Sequence, residues 1–163
     1  MIQRPLRIGV MGPGSCDSDL AAKAAEVGRR IARAGAVLIS GGRTGVMQEA
    51  SKGAAEAGGW VIGILPSDSD REANRWVTIP IPTGMGNARN AVNVLSSQSL
   101  IAIAGGPGTL SEIALAVKAG TPVVGLNTWT ARNASGDPLP IHVAEDPEHA
   151  VTMALELALE RAL

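Results

Sequence analysis

Two pairs of adjacent glycines, each placed between a short apolar run and a helical pattern, constrain this chain more than any other feature. The pairs are Gly41-Gly42 in SGGRTGVMQEA and Gly105-Gly106 in AGGPGTLSEIA. Glycine has no Cβ and tolerates positive φ, so the backbone can turn sharply and approach a ligand closely. A helix that begins just beyond the turn presents free N–H groups and the positive end of its dipole. Two such junctions predict a site for a phosphorylated ligand.

The same strand-to-helix pattern repeats along the whole chain and predicts the fold class. Short apolar runs predict strands at residues 6–11, 36–40, 60–65, 76–81, 100–104, 121–126 and 141–143. Helical spacing predicts a helix capped by Ser18 or Asp19, helices at 46–57, 87–97 and 109–119, and a last helix opened by Asp146. Strands that alternate with helices pair in parallel through right-handed crossovers. We therefore expect residues 1–163 to form one Rossmann-like domain: a doubly wound, mostly parallel α/β sheet with helices on both faces.

Composition excludes several classes of function. The formal net charge is −1 and no basic run is present, so we expect no nucleic-acid partner. Cys16 is the single cysteine, and the N-terminus lacks the apolar segment of a signal peptide, so we expect a cytoplasmic protein. No apolar run reaches the roughly 18 residues that would span a membrane. His142 and His149 lack the spacing of metal ligands, and we expect no metal site.

The first loop narrows the type of nucleotide motif. Its sequence, GPGSCD from Gly12, begins like a dinucleotide fingerprint, but Asp17 stands where the third glycine belongs. No acidic residue follows the second strand to bind a ribose, and no Gly-Lys-Ser/Thr triplet marks a Walker A loop. The remaining interpretation is a phosphate cradle formed mainly by backbone N–H groups, with Gly14 and Ser15 at its first loop.

The second glycine junction carries further candidates for phosphate contacts. In GGPGTLSE, Gly106 and Gly108 permit close approach, and Thr109 adds a hydroxyl group. Thr109 followed three residues later by Glu112 is also the spacing of a capping box. Both interpretations stay open, because Glu112 can cap the helix and also project over a ligand crevice.

Arg89 is the candidate for a charged phosphate contact. It stands in MGNARN at the start of the third helix, where the helix dipole favours anions and not a cation. Its guanidinium group is always charged and presents a fork of donors that matches phosphate. The alternative is a solvated surface arginine, and a surface role is also expected for Arg43. Trp129, in the long loop at 127–140, either stacks on a flat ligand or packs over the sheet.

Three segments together resemble the LOG superfamily, whose members were often mislabelled as lysine decarboxylases. They are SGGRTGVMQEASKGAAEAGGWVIGILP, MGNARN and AGGPGTLSE, the last being a form of the superfamily's PGGxGTxxE signature. The resemblance covers about residues 8–126. It implies a Rossmann-like fold, a homodimer or homotetramer, and a small phosphorylated ligand. None of the three lysines is an evident candidate for Schiff-base chemistry, so decarboxylation is not expected.

Two branches of the superfamily offer different functions. One hydrolyses cytokinin riboside 5′-monophosphates to the base and ribose 5-phosphate, and the resemblance would make Arg89 and Glu112 catalytic. This chain departs from that branch, because Asn90 stands where a lysine is expected and no Phe or Tyr is present to contact the base. The molybdenum-cofactor carrier proteins share the GPGS loop and the GNARN stretch, and the chain resembles them more closely. A nucleotide sensor without turnover would use the same site.

The resemblance and the glycine junctions together predict one set of binding residues. The set comprises Gly12, Gly14, Ser15, Gly41, Gly42, Thr44, Gly45, Met85, Asn87, Arg89, Asn90, Gly105, Gly106, Gly108, Thr109 and Glu112. The molybdenum cofactor is the expected ligand, a nucleoside monophosphate is the alternative, and no cofactor is expected to be needed for folding.

Overall fold

The computed structural model describes residues 4–162, in which strands and helices alternate. The strands are β1 (Arg7–Met11), β2 (Val37–Ser40), β3 (Val61–Leu65), β4 (Ile79–Pro82), β5 (Ser99–Ile103), β6 (Val123–Leu126) and β7 (His142–Ala144). The helices are α1 (Ser18–Arg33), α2 (Val46–Glu56), α3 (Arg89–Ser96), α4 (Pro107–Ala119) and α5 (Pro147–Ala162). A short 3-10 helix, Gly86–Ala88, leads into α3.

One sheet contains all seven strands, in the order β4-β3-β2-β1-β5-β6-β7. Every pair of neighbouring strands is parallel, which confirms the doubly wound α/β prediction. The chain runs outward from β1 to β4 and then returns to place β5 on the other side of β1. The direction of winding therefore reverses between β1 and β5, and ligands of such sheets bind at the carboxyl ends of the strands near this point.

Helices cover both faces of the sheet. Helices α1, α2 and α5 pack together on one face, and α3 packs with α4 on the other. Strand residues alternate between the two cores, as β1 illustrates: Ile8 and Val10 belong to the α1 side, whereas Met11 belongs to the α3 side. Burial on both faces explains why the strands read as continuous apolar runs.

The predicted N-cap of α1 is wrong by one or two residues. The cap is Asp17, not Ser18 or Asp19, because its backbone is extended (ψ 179°) and its carboxylate accepts a hydrogen bond from the Leu20 N–H at 2.8 Å. At α5 the predicted cap is confirmed, since Asp146 Oδ1 accepts from the His149 N–H at 2.8 Å.

Two predicted elements begin later than the sequence indicates. The strand expected at 76–81 is β4, because Asn74 holds the preceding residues in a turn. Its side-chain Oδ1 accepts from Trp76 N–H and its backbone oxygen accepts from Val77 N–H, both at 3.1 Å. The helix expected from Asn87 starts as the 3-10 helix and becomes α-helical at Arg89.

Between residues 4 and 162, no helix combines the length and apolar character needed to cross a bilayer.

Candidate functional site

The sheet order brings three strand-to-helix loops to one edge. Strand β1 pairs with both β2 and β5, so the loops that follow these strands lie side by side at the carboxyl ends. The β1 loop begins at Gly12, where a Cβ would lie 2.5 Å from Val46 Cγ1 and 2.9 Å from the Ile103 oxygen. The fold therefore places the two glycine junctions near each other at the same edge of the sheet, as the sequence predicts.

The β2 loop packs directly on the β1 loop. The Val46 N–H donates to the Pro13 oxygen at 3.0 Å, and Thr44 Oγ1 donates to the Gly14 oxygen at 2.8 Å. Gly45, the N-cap of α2, has φ 66° and ψ −135°, and a Cβ there would lie 2.5 Å from the Ser15 nitrogen. Backbone contacts this short leave room only for glycine, so the two loops are closely packed against each other.

Arg89 lies across the first glycine junction. A Cβ on Gly41 would overlap the Arg89 guanidinium and lie 2.6 Å from Met47 Sδ. Arg89 is only 9% exposed, and within the described residues its Nε and Nη1 have no hydrogen-bond partner. Buried donors are almost always paired, because an unpaired one loses its hydration without compensation. These two donors therefore lack, among the described residues, the partner that buried polar groups normally have.

Glu112 on α4 supplies the opposite charge. It is 8% exposed, and its Oε1 accepts a hydrogen bond from Asn93 Nδ2 at 3.2 Å. Burial raises the pKa of Glu112 to about 7, and this outweighs the lowering by the Asn93 hydrogen bond and by the charge of Arg89. Burial also lowers the pKa of Arg89. The negative charge of Glu112 raises the pKa of Arg89, and the positive charge of Arg43 lowers it. The pair thus holds a fixed cation beside a carboxyl group that titrates near neutrality.

The second glycine junction is open where the first is packed. Helix α4 begins at Pro107, after the N-cap Gly106, and no side chain among residues 4–162 caps it. A Cβ on Gly106 or Gly108 would meet no described atom within 4 Å. The space beside these two glycines is therefore open, and the backbone donors of this first turn begin at the exposed Gly108, because Pro107 has no N–H.

The capping-box interpretation of Thr109 and Glu112 is wrong. Pro107 occupies the first helical position, so α4 begins two residues earlier than predicted. Thr109 is then inside the helix and 3% exposed, beneath Gly105, whose Cβ would lie 2.5 Å from Thr109 Cβ. Glu112 lies deeper in α4 and faces α3 through Asn93.

Sequence reasoning missed Asn93. It follows Arg89 by four residues and so lies on the same face of α3, fully buried. Its backbone oxygen accepts from Ser97 Oγ at 2.8 Å, whereas its Oδ1 has no partner among the residues described. An asparagine one turn after a candidate arginine was the available signal, because both side chains must point the same way.

The remaining predicted residues surround this centre. Gly42 is buried and its oxygen accepts from the Asn74 N–H at 2.8 Å, while Met85, just before the 3-10 helix, and Asn87, within it, are exposed. Asn90 is half-buried in the first turn of α3. Arg43 is exposed and forms an ion pair with Glu72 at 3.6 Å, as the surface interpretation expects.

The long loop after β6 is tied to the second junction. Trp129 Nε1 donates to the Gly106 oxygen at 3.1 Å, and Thr128 Oγ1 donates to the Ala104 oxygen at 2.5 Å. Ala104 has a positive φ of 48°, an uncommon conformation for a residue with a side chain. The indole of Trp129 is 37% exposed, so it borders the start of α4 and leaves one part open to solvent.

Two sizeable clefts lie away from Arg89 and Glu112. One of about 790 Å³ is formed by the β6–β7 edge and the loop between them, including Trp129 and Leu139. The other, of about 470 Å³, lies at the amino ends of the strands and contains Arg4, Arg7 and Arg161. Neither cleft is lined by Arg89 or Glu112, so the candidate site is separate from both.

Comparison with known proteins agrees with this architecture. The molybdenum cofactor binding protein of the phototrophic bacterium Rippkaea orientalis is 40% identical, with a TM-score of 0.86 over 96% of this chain and 99% of that one. The Moco carrier protein of Chlamydomonas reinhardtii is 43% identical, with a TM-score of 0.83 over the same shares. A protein of Archaeoglobus fulgidus is 41% identical over 95% of this chain and 98% of its own length.

These likenesses confirm the resemblance to the LOG superfamily and, within it, to the molybdenum-cofactor carrier proteins. The family model that matches, described as the SLOG cluster4 family, covers residues 5–151. The match includes every residue of the candidate site, from Gly12 to Glu112. The chain belongs to the SLOG cluster4 family.

Proposed function

We propose that this protein binds a phosphorylated small molecule at the edge formed by Arg89, Glu112 and the start of α4, and that the molecule is the molybdenum cofactor. The observation that carries the proposal is that the buried Nε and Nη1 of Arg89 have no hydrogen-bond partner among residues 4–162. A phosphate oxygen accepting from Nε and Nη1 would satisfy two donors that are otherwise buried at a cost of about 1–3 kcal/mol each.

The backbone of α4 supports the phosphate assignment. Gly106 and Gly108 face open space, and no side chain within residues 4–162 caps the helix start, so no side chain occupies the N–H groups that follow Pro107. The dipole of α4 adds partial positive charge at the same place. Together these donors bind an anion without any lysine, which agrees with the absence of lysine from both junction sequences.

The identity of the ligand is supported by the relatives. Two solved structures at 40% and 43% identity are a molybdenum cofactor binding protein and a Moco carrier protein. Besides its metal, the cofactor has a phosphate and a flat, polar ring system. The phosphate would lie at Arg89 and α4, and the ring would extend toward the loops at Ser15 and Thr44 or toward Trp129.

A binding experiment tests the proposal. The full chain is titrated anaerobically with cofactor released from a molybdoenzyme and, separately, with AMP. We expect saturable cofactor binding that Arg89→Gln weakens at least about a hundredfold, since a charged hydrogen-bonded contact contributes about 3 kcal/mol. Arg33→Gln is the control, because Arg33 is exposed at the end of α1. Binding of AMP alone, or an equal effect of both variants, would remove the proposal.

A second candidate is hydrolysis of a nucleoside 5′-monophosphate, and one observation favours it. A buried carboxyl group with a pKa of about 7 is suited to proton transfer at neutral pH. In that reaction Arg89 would hold the phosphate while Glu112 activates water or protonates the base. Release of ribose 5-phosphate from AMP that Glu112→Gln abolishes would support an enzyme, and release unaffected by that variant would exclude this mechanism.

Self-association into a homodimer or homotetramer stays a prediction from the family resemblance. Light scattering of the full chain measures it directly. A mass of one chain at the concentrations used for ligand binding would contradict the prediction.

A further inference from the structure

We propose that the site binds an anion together with a proton: as the anion contacts Arg89, the carboxyl group of Glu112 becomes or remains protonated. This inference rests on the proposed function, because it requires an anion at Arg89. It adds that the ionisable carboxyl group of Glu112 makes binding depend on the charge of the ligand, and that the affinity for the anion falls as pH rises.

The geometry places the two groups on facing helices. Arg89 begins α3, Glu112 lies on α4, and these helices pack against each other. Asn93, one turn after Arg89, donates to Glu112 and so bridges the helices. An anion that reaches Nε and Nη1 of Arg89 therefore lies near a carboxyl group that is itself buried. Two negative charges in a poorly solvated site repel strongly, and protonation of one removes the repulsion.

Few charges face Glu112 from the elements packed against α4. From α3 the facing charge is Arg89, and from the β2 loop Arg43 acts on Arg89 while pairing with Glu72. Strands β5 and β6 present apolar residues to α4, such as Leu100 and Val123. The charges that interact at the site are thus those of Arg89, Glu112 and the ligand.

Asn93 can serve either protonation state of Glu112. In the structure its Nδ2 donates to the carboxylate, and its Oδ1 is buried without a donor among the residues described. A half-turn of the amide exchanges these atoms, and Oδ1 then accepts a hydrogen bond from the protonated acid. The carboxyl group thus has a partner in both states.

The direction of the pH effect follows from the free site. The pKa of Glu112 is about 7 without ligand, and a nearby anion raises it further. At low pH the acid is already neutral, and the anion binds without displacing any charge. Above neutrality a proton must be taken up, so affinity declines by up to about tenfold per pH unit until the pKa of the bound state is reached.

Sulfate is the probe that isolates this effect, because it keeps two negative charges across the neutral range and phosphate does not. Calorimetric titration of the full chain with sulfate should show binding about tenfold weaker at about pH 8 than at about pH 6. Repeating each titration in two buffers with different ionisation enthalpies measures proton uptake. We expect uptake near one half of a proton at about pH 7, rising with pH.

Three variants separate the causes. Glu112→Gln, which copies the neutral acid, should bind sulfate at about pH 8 as tightly as the unmodified protein does at about pH 6, with no proton uptake. Glu56→Gln, at an exposed glutamate near the end of α2, should behave like the unmodified protein. Carbon-13 NMR of the Glu112 carboxyl provides a second readout, with a midpoint near 7 that sulfate moves upward.

The outcomes distinguish the two proposals. Sulfate binding that Arg89→Gln abolishes but that is independent of pH, with no proton uptake, would overturn this inference and leave the anion site intact. Sulfate binding that Arg89→Gln does not weaken would overturn the proposed function. Proton uptake that persists in Glu112→Gln would assign the titrating group elsewhere and also overturn the inference.

Discussion

The two glycine junctions have similar sequences, but in the structure the first is closely packed and the second is open. At the first, Gly41 faces the Arg89 guanidinium and Gly45 faces the backbone of Ser15, so packing accounts for both glycines. At the second, Gly106 and Gly108 face open space, and no packing contact with a described residue requires a glycine there. Only Gly105, which lies over Thr109, resembles the glycines of the first junction.

This difference teaches that a Gly-Gly pair after a strand has two separate uses. In the first junction glycine lets two loops and a buried arginine occupy the same space, which makes the junction part of the framework. In the second it leaves the start of α4 bare, so that backbone N–H groups stay accessible. Changes at the first junction should therefore affect stability most, and changes at the second should affect binding most.

The largest expected effect is at Gly45, within the first junction. Gly45→Ala should lower the free energy of unfolding by about 3 kcal/mol or more, because the new methyl group meets backbone atoms at a backbone geometry that favours glycine. Urea denaturation measures the loss. Gly35→Ala is the matched control: φ is also positive at 72°, but no described atom lies within 4 Å, so about 1 kcal/mol is expected. Equal losses in both variants would contradict the packing role.

The next effect concerns Glu112, on the helix of the second junction, and it is a gain in stability. Because the pKa of Glu112 is raised from 4.5 to about 7 by folding, the native state binds the extra proton between these values and loses stability as pH rises through that window. Glu112→Gln should therefore be more stable than the unmodified protein by about 3 kcal/mol at about pH 8, with no gain at about pH 4. Glu56→Gln, measured in the same urea series, should change stability by less than about 0.5 kcal/mol at either pH.

Gly41 tests whether the first junction positions the arginine. Gly41→Ala should weaken sulfate binding about tenfold or more, because the methyl group takes the place of the guanidinium. The loss of stability should be only about 1 kcal/mol, since the atoms displaced are the flexible ends of Arg89 and Met47. Calorimetry and urea denaturation of one preparation report both quantities. Unchanged sulfate affinity would show that Arg89 is positioned by α3 alone.

The smallest expected effect is at Gly108, in the open second junction. Gly108→Ala should raise the free energy of unfolding by about 0.5–1 kcal/mol, because alanine favours the helical conformation and the space beside it is empty. The same variant should weaken sulfate binding a few-fold, since a methyl group would stand over the N–H groups of α4. Lower stability would show that this glycine is needed by the fold, and the contrast between the junctions would then fail.

Much of this architecture could be predicted from local signals. The apolar runs and helical spacing predict the alternating strands and helices, and alternation implies parallel pairing. The predicted ends of helices and strands are wrong where a hydrogen-bonding side chain or a proline determines the boundary. Asp17 caps α1 ahead of the predicted residues, Asn74 delays β4, and Pro107 starts α4 early enough to remove Thr109 from a cap.

The site was predictable as a set of candidates but not as an arrangement. Arg89 was a candidate from its place in the first turn of the third helix and Glu112 from its spacing after Thr109, and the family resemblance added their possible catalytic roles. Asn93 was missed, although its position one turn after Arg89 was an available signal. Its role depends on the packing of α3 against α4, which the spacing of residues does not encode.

By itself, the sequence determined the fold class and the position of glycines at the ends of β2 and β5, because periodicity and chain flexibility act over a few neighbouring residues. Only the tertiary structure decided which glycine junction is filled and which is open. It also decided that two nitrogens of the buried Arg89 guanidinium have no partner in the part of the chain that the structure describes, and that a buried carboxyl group, Glu112, acts on the same arginine. Those properties depend on burial and on contacts between residues far apart in the chain, which arise only when the helices pack on the sheet.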